Sequence, residues 1–193
     1  MTRIERAVLL ATKAHAGQVR KGKDRPYILH PIEVMCIVMR NTYDEDVIIA
    51  AVLHDVVEKT SVTSRRLENE FGPRVARLVD SVSEDKMKKL PPEATWKARK
   101  WKKIFDLRKA DSDTQLICFA DGLSNLRELK RDYEKIGDEV WERFNQKDKE
   151  MHAWYYRELL SIFEKTFEYE YYPETDEFND LVDSVFQERN NYW

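Results

Sequence analysis

An apolar run at residues 47–57 is broken only by His54 and Asp55, and this run limits the folds open to the chain. The flanks are apolar enough to bury the pair, and a buried imidazole and a buried carboxylate must each find a polar or charged partner. Glu58 follows one helical turn after His54, so two metal ligands and a further acid lie close together. The pair alone fits two interpretations, a hydrogen-bonded couple in the core or part of a metal site.

Glycine and proline are scarce, with 5 and 6 residues in a chain of 193, whereas 36% of the residues are charged. This balance is typical of helices that carry ion pairs on their outer faces. No linker rich in glycine, proline or serine divides the chain, which is long enough for one sizeable core. We therefore predict an all-α protein, a single-domain bundle of about eight to ten helices over residues 1–172, with an acidic segment at 173–193 that packs on this domain or trails it.

The overall charge argues against two classes of partner. Lys and Arg total 33 against 36 Asp and Glu, so the net charge of -3 offers no general attraction to nucleic acid or to an anionic membrane. Cys36 and Cys118 lie in apolar segments without paired spacing, which predicts buried, reduced thiols. No segment resembles a signal peptide or a membrane span. We expect a cytoplasmic protein with no nucleic acid or membrane partner, and the oligomeric state stays open, a homo-oligomer included.

Apolar residues that recur every three or four positions predict the helices, and capping residues mark their ends. Asp44 is a candidate N-cap for a helix that leads to His54, whereas Thr63 and Gly72 bracket a later helix. Residues 83–95 are polar and contain proline, which predicts a surface loop. The first six predicted helices cover residues 3–16, 31–40, 44–54, 63–72, 73–82 and 96–107.

Four cationic residues crowd around Gly22 in the segment that precedes His30. They are Arg20, Lys21, Lys23 and Arg25. On a chain of net negative charge they form a local patch that could hold an anion, although a solvated surface loop explains the same charges. Pro31 disfavours the helical region for His30, so this histidine stands at a helix entrance with its side chain free to point inward.

Asp121 lies within another apolar helix, where an unpaired carboxylate would be costly. Such an acid needs a metal cation, an arginine or a proton. Arg127 is too far round the helix for the usual pairing, which makes a metal ion an attractive partner. Asn125 lies one turn beyond Asp121 and could contact a ligand. The aromatic residues from Trp141 to Phe167 indicate mainly core packing.

Three motifs emerge from these segments: HAGQVRKGKDRPYILHP at 15–31, AVLHDVVE at 51–58 and ADGLSNLR at 120–127. The set resembles the HD-domain metal-dependent phosphohydrolases, and within them the alarmone hydrolase branch. That branch contains the hydrolase half of the RelA/SpoT enzymes and small stand-alone relatives such as the metazoan SpoT homologue. The likeness covers about residues 3–170 and implies an HD-type helical bundle.

The resemblance implies a site for one divalent metal ion, which is Mn²⁺ in characterised relatives. The implied ligands are His30, His54, Asp55 and Asp121. Mixed nitrogen and oxygen ligands with open positions also suit manganese, iron or cobalt better than a closed zinc site does. Glu58 would orient or deprotonate the attacking water.

The resemblance also implies contacts with a nucleotide substrate. The matched residues are a cationic pair that grips the substrate, a pocket tyrosine and a nucleotide-binding asparagine, namely Arg20 and Lys21, Tyr27, and Asn125. One of Trp154, Tyr155 and Tyr156 falls near a tyrosine that contacts phosphate. The implied reaction is that of a (p)ppGpp 3′-pyrophosphohydrolase, which releases pyrophosphate from the ribose 3′ oxygen, whereas some relatives remove phosphate from NADPH.

Two positions depart from the pattern of the branch. Lys59 stands where the branch has an aspartate, and Gly122 stands where it has a lysine. At the catalytic position beside Glu58, Lys59 replaces an acid with a cation that supplies no base while it is charged. We therefore expect reduced activity. Two alternatives stay open, a weakened or inactive HD-fold protein that binds nucleotide or metal, and a hydrolase of another nucleotide such as NADPH.

Overall fold

The structure, a computed structural model, describes residues 1–84, 90–168 and 172–187. Within these ranges it contains ten α-helices, one 3-10 helix at Gly137–Arg143 and no strand beyond an isolated bridge between Val19 and Pro26. The all-α prediction is confirmed. In chain order the α-helices are α1 (Arg3–Ala14), α2 (Leu29–Asn41), α3 (Glu45–Leu53), α4 (Val56–Lys59), α5 (Ser64–Phe71), α6 (Pro73–Val82), α7 (Pro92–Leu107), α8 (Ser112–Ile136), α9 (Lys149–Thr166) and α10 (Pro173–Phe186).

The helix ends follow the capping residues that the sequence predicts. Asp44 caps α3 by accepting hydrogen bonds from two backbone nitrogens of the first turn. Thr63 caps α5 in the same way. Gly72 ends α5 at a φ of +97°, a backbone region that residues with a side chain rarely adopt, and α6 begins directly after it.

The start of α7 differs from the prediction. This helix begins at Pro92 rather than at Trp96, because proline fits the first turn of a helix, where its missing N–H is not needed. The predicted surface loop at 83–95 is therefore shorter than expected. Its central residues 85–89 lie outside the described part of the chain.

The helices divide into two compact units. The first contains α1 to α6 and the part of α8 up to Ser124, and the second contains α7, the rest of α8, the 3-10 helix, α9 and α10. The single domain over residues 1–172 stays a prediction. The segment predicted at 173–193 contains α10, which packs on α9, and its last residues, 188–193, lie outside the described ranges.

Helix α3 is the buried centre of the first unit. Residues 47–53 are all buried, and α1, α2 and α6 pack around them. The start of α3 is held by ion pairs, from Arg74 of α6 to Asp44 at 2.7 Å and from Arg3 of α1 to two acids of the first turn. The far end of α3 delivers His54, which is 5% exposed.

Aromatic side chains form much of the second unit, as the sequence predicts. His152 of α9 lies among Trp96, Trp141 and Phe144, with each pair of ring centroids 5.2 Å apart. Burial lowers the pKa of His152, so the ring is neutral at neutral pH. These contacts confirm that the aromatic residues serve packing.

The two cysteines are free, as predicted, but only Cys118 is buried. The prediction was wrong for Cys36, which is exposed because it lies on a different face of α2 from the buried Val34, Ile37 and Val38. Among the described helices, none combines the length and the apolar character that a membrane crossing requires.

Candidate metal centre

Three of the four predicted metal ligands bring their ligand atoms together. One atom from each of His30, His54 and Asp121 lies within 4.8 Å of the others. Asp121 Oδ1 is 3.1 Å from His30 Nε2 and 3.8 Å from His54 Nε2. The residues come from the start of α2, the end of α3 and the middle of α8, so the fold unites ligands that lie far apart in sequence.

The main chain fixes the proton of His54. Its Nδ1 lies 2.8 Å from the carbonyl oxygen of Ala51, within α3. A carbonyl only accepts hydrogen bonds, so Nδ1 carries the hydrogen and Nε2 keeps a lone pair in the neutral ring. This Nε2 is buried and makes no hydrogen bond with the described residues. A buried nitrogen with a lone pair and no donor facing it is suited to bind a cation.

The electrostatics of the two imidazoles differ. Burial lowers the pKa of His30, which is 5% exposed, so this ring is neutral at neutral pH. Burial also disfavours a charged His54, but the carboxylates of Asp55 and Asp121 outweigh that effect and raise the pKa of His54. The carboxylates thus favour a positive charge at this point, whether a proton or a metal ion supplies it.

The fourth predicted ligand, Asp55, lies beside the other three and is already engaged by donors. Its Oδ2 is 3.2 Å from His54 Nε2 and 3.8 Å from His30 Nε2. The Tyr27 hydroxyl donates to Oδ2 at 2.5 Å, and the Lys59 ammonium lies 2.8 Å from Oδ1 and 2.9 Å from Oδ2. Asp55 therefore stays a predicted ligand whose two oxygens already accept hydrogen bonds.

Charge compensation keeps Asp55 ionised. Burial alone would raise the pKa of this carboxyl, but the neighbouring His54 imidazole and Lys59 ammonium hold it well below its usual range. Burial likewise opposes the charge of Lys59, yet the Asp55 carboxylate raises the pKa of the ammonium. Asp55 and Lys59 thus form an ion pair across one turn of the chain.

Lys59 also contacts the tyrosine that donates to Asp55. Its ammonium donates to the Tyr27 hydroxyl at 2.5 Å and lies 5.1 Å from the centre of the Tyr27 ring. Burial is the largest cause that raises the pKa of Tyr27, so the phenol keeps its proton. Tyr27 is 8% exposed, and its hydroxyl orients Asp55; its predicted contact with substrate stays a prediction.

The predicted base, Glu58, lies in α4 beside Lys59. Its Oε2 accepts a hydrogen bond of 3.1 Å from the backbone nitrogen of Glu84, just after α6. This bond fixes the carboxylate from one side. The catalytic roles of Glu58 and Lys59 stay predictions.

The basic segment forms a short loop next to Tyr27. The bridge between Val19 and Pro26 closes this loop, and the backbone nitrogen of Arg20 donates to the carbonyl of Arg25 at 2.9 Å. The Arg20 guanidinium lies 5.4 Å from the centre of the Tyr27 ring, and Lys21 is exposed at the tip. The Arg20 guanidinium is therefore separated from Asp55 only by the side chain of Tyr27.

The remaining predicted contacts lie in the second unit. Asn125 follows Asp121 by one turn of α8. The ring of Tyr155 lies 4.8 Å from the ammonium of Lys100, whereas Trp154 and Tyr156 pack on other aromatic rings. Their contacts with a substrate stay predictions.

Sequence analysis missed three polar residues around this centre. Ser124 lies one turn beyond Asp121, and Glu33 lies one turn beyond His30, so helical spacing was the signal that could have found them. His15 is 2% exposed, with its ring centroid 4.9 Å from that of Tyr27. Burial lowers the pKa of His15, whose Nδ1 lies 2.9 Å from a side-chain oxygen of Gln18.

The chain matches the HD domain family over residues 7–148. The bifunctional (p)ppGpp synthase/hydrolase SpoT of Escherichia coli K12 is 37% identical over 127 residues, which are 66% of this chain and 18% of that protein. The guanosine-3′,5′-bis(diphosphate) 3′-pyrophosphohydrolase of Haemophilus influenzae is 36% identical over 121 residues, 63% of this chain and 18% of that protein. The match thus spans less than a fifth of these two relatives.

Two solved structures match a much larger share of their own length. One is a metazoan orthologue of SpoT, described as hydrolysing ppGpp and as playing a role in starvation responses, with a TM-score of 0.74 and 27% identity over 95% of this chain and 94% of that one. The other, from Listeria monocytogenes EGD-e, has a TM-score of 0.70 and 30% identity over 84% of this chain and 97% of that one.

We expect Mn²⁺ to stabilise the folded chain, because a cation that binds only the native state raises the free energy of unfolding, by about 2.7 kcal/mol at a hundredfold excess over its Kd. Asp121→Asn keeps the side-chain shape but removes the charge, so most of the gain should disappear. Asp111→Asn, which changes another acid at the start of α8, is the matched control. Thermal unfolding with and without Mn²⁺ measures the effect, and an equal shift for wild type and Asp121→Asn would contradict this site.

Proposed function

Because this chain belongs to the HD domain family, we propose that it is a metal-dependent hydrolase that releases pyrophosphate from (p)ppGpp or a closely related nucleotide. The observation that carries the proposal is the convergence of His30, His54 and Asp121, whose ligand atoms lie within 4.8 Å. The substrate class is supported by the printed activities of the bacterial relatives and of the metazoan orthologue of SpoT.

The residues of the centre fit a divalent cation. Two imidazoles and a carboxylate face one another, and the main chain directs the hydrogen of His54 away from them. Mixed nitrogen and oxygen donors suit manganese, iron or cobalt, and we assign Mn²⁺. When bound, such an ion polarises a phosphate and makes a water nucleophilic near neutral pH.

We assign Asp55 as the fourth ligand. Each carboxylate oxygen has more than one lone pair, so the bonds from Tyr27 and Lys59 leave capacity for a cation. The ammonium of Lys59 nevertheless draws electron density from the carboxylate and repels a second cation. Lys59 therefore weakens this ligand, and we propose a slow enzyme rather than an inactive one.

Glu58 is the base in this proposal. It lies in the same short helix as Lys59, and its bond to the backbone nitrogen of Glu84 restrains the carboxylate. A carboxylate held in this way can orient a water and accept its proton. No other acid of α4 is available for that role, since the helix contains only Glu58.

Arg20 and Lys21 supply the positive charge that a polyphosphorylated nucleotide requires. The Arg20 guanidinium lies over the Tyr27 ring, and the Tyr27 hydroxyl donates to Asp55. Arg20 is therefore close enough to the metal centre to bind a phosphate of a nucleotide held there. Arginine binds phosphate through paired, charge-assisted hydrogen bonds. Asn125, one turn beyond Asp121 on α8, is assigned to the nucleotide. The phosphate contact from one of Trp154, Tyr155 and Tyr156 stays a prediction.

The second candidate function is a protein that keeps the HD fold and binds nucleotide or metal but hydrolyses nucleotides weakly or not at all. Lys59 is the observation that favours it, because the ammonium occupies both oxygens of a predicted ligand. A hydrolase of NADPH would use the same centre but would release phosphate rather than pyrophosphate. Cytoplasmic localisation, the absence of nucleic acid and membrane partners and the oligomeric state stay predictions.

A panel of nucleotides with Mn²⁺ tests the proposed reaction. Wild-type protein should release pyrophosphate from (p)ppGpp, and the rate should fall to background in His54→Ala and Asp121→Asn because each removes a ligand. Asp111→Asn should keep the wild-type rate. Phosphate released from NADPH would identify the other hydrolase, whereas metal binding without any hydrolysis would establish the binding protein.

The substrate loop makes a second prediction. Arg20→Ala and Lys21→Ala should each raise the KM for (p)ppGpp roughly ten- to hundredfold, because a charge-assisted hydrogen bond contributes about 1.5–3 kcal/mol. Lys23→Ala and Arg25→Ala change neighbouring cations of the same loop and should have much smaller effects. Equal changes in all four variants would show that only the overall charge of the loop matters.

Lys59→Asp should raise the Mn²⁺-dependent rate, since it frees Asp55 and restores an acid beside the attacking water. One acid–base helper contributes about 10²–10⁴-fold, which sets the upper limit of the gain. Lys97→Asp, at an exposed position of α7, controls for the reversal of charge. If Lys59→Asp leaves the rate unchanged while Glu58→Gln abolishes it, Lys59 is a bystander.

A further inference from the structure

We propose that Ser124 and Glu33 are positioning residues that fix the proton of His30 on Nδ1 and so keep its Nε2 free for a cation. The inference rests on the function proposed above only where it takes His30 to be a cation ligand. It concerns a pair of residues outside the ligand set.

The two residues form a hydrogen-bonded chain behind His30. His30 Nδ1 lies 2.9 Å from the hydroxyl oxygen of Ser124, and this hydroxyl donates to Glu33 Oε2 at 3.1 Å. Ser124 is 2% exposed, and His30 is 5% exposed. Water therefore has little access to the bond between them, so neighbouring groups of the protein decide which nitrogen of His30 carries the hydrogen.

The direction of these bonds follows from the count of hydrogens. A serine hydroxyl has one hydrogen, and a carboxylate only accepts. When the hydroxyl gives its hydrogen to the Glu33 carboxylate, it accepts from His30, and Nδ1 of the neutral ring carries the hydrogen. Nε2 then carries the lone pair, and it is this atom that lies 3.1 Å from Asp121 Oδ1. In the competing arrangement Nε2–H donates to Asp121, and the hydroxyl must then turn from Glu33 and donate to Nδ1.

Helical spacing explains how four residues reach this arrangement. His30 and Glu33 lie three positions apart on α2, and Asp121 and Ser124 lie three positions apart on α8. Residues with this spacing share one face of a helix. Each helix thus provides one cation ligand and one residue that orients the histidine.

The two histidines of the centre are fixed by different means. A backbone carbonyl, that of Ala51, sets the proton of His54, and substitution of side chains does not remove it. His30 depends on a hydroxyl that can turn, and a hydroxyl without its acceptor can donate as well as accept. Glu33 is therefore needed to make Ser124 an acceptor, which a serine alone would not ensure.

Imidazole ¹⁵N NMR of the metal-free full chain tests this proposal directly. The protein has 4 histidines, so a His30→Gln variant suffices to assign the His30 signals. Wild type should show His30 protonated at Nδ1, whereas Ser124→Ala and Glu33→Ala should move the hydrogen toward Nε2, which lies 3.1 Å from Asp121 Oδ1, a hydrogen-bond acceptor. Ser124→Thr keeps the hydroxyl and should restore the wild-type pattern. Protonation of His30 at Nε2 in wild type would overturn the proposal.

Calorimetric titration with Mn²⁺ provides the second readout. Loss of a residue that orients a metal-bound histidine typically weakens metal affinity about ten- to hundredfold, so Ser124→Ala should show a loss of that size and Ser124→Thr should recover it. Ser81→Ala, which removes an exposed helical hydroxyl, is the control. A weaker affinity without a change of tautomer would assign Ser124 a packing role and reject the proposal.

The two measurements separate this inference from the proposed reaction. Correct tautomers and affinities without hydrolysis of any nucleotide would refute the proposed function and leave the positioning role intact. Hydrolysis by wild type together with unchanged tautomers in Ser124→Ala would do the reverse.

Discussion

The hydrogen bond from His54 Nδ1 to the carbonyl of Ala51 is the constraint on which the centre depends. It forms where α3 ends, so the backbone sets its geometry. It leaves Nε2 without a hydrogen at a buried point beside two carboxylates, an arrangement that is costly unless a positive charge is present. The first unit positions this histidine, since α3 is buried from Val47 to Leu53 and Arg74 holds its first turn through Asp44.

The pair of Asp55 and Lys59 explains how the chain folds before a cation binds. A buried carboxylate without a partner would destabilise the native state, and Lys59 supplies the partner from the same stretch of chain. Tyr27 completes the arrangement, because its hydroxyl donates to the carboxylate and accepts from the ammonium. The residue that lowers the expected activity is thus also the residue that neutralises the site. Lys59 therefore stabilises the folded chain without metal but weakens the binding of a metal ion by Asp55.

Much of this could be predicted from the sequence, and the parts that could not share a physical reason. Caps such as Asp44, Thr63 and Gly72 act within one turn, so the local sequence determines them. The helices themselves were predictable for the same reason, because their apolar residues recur every three or four positions. The contact of Lys59 with Tyr27 and the roles of Ser124 and Glu33 depend on which distant segments meet, and a single sequence does not give that. Cys36 shows the limit of the apolar pattern, because an apolar segment still has an outer face.

The charge of the centre indicates what the lysine changes in the chemistry. Asp55, Asp121 and Glu58 contribute three formal negative charges and Lys59 one positive charge, so a divalent cation would leave the centre neutral. An aspartate at position 59 would leave two net negative charges with the same cation. A neutral centre repels a polyphosphate less in its ground state, whereas a negative one favours removal of a proton from water. In the function proposed above, Lys59 would therefore favour binding of the anion over activation of the nucleophile, through a single side chain held between Tyr27 and Asp55.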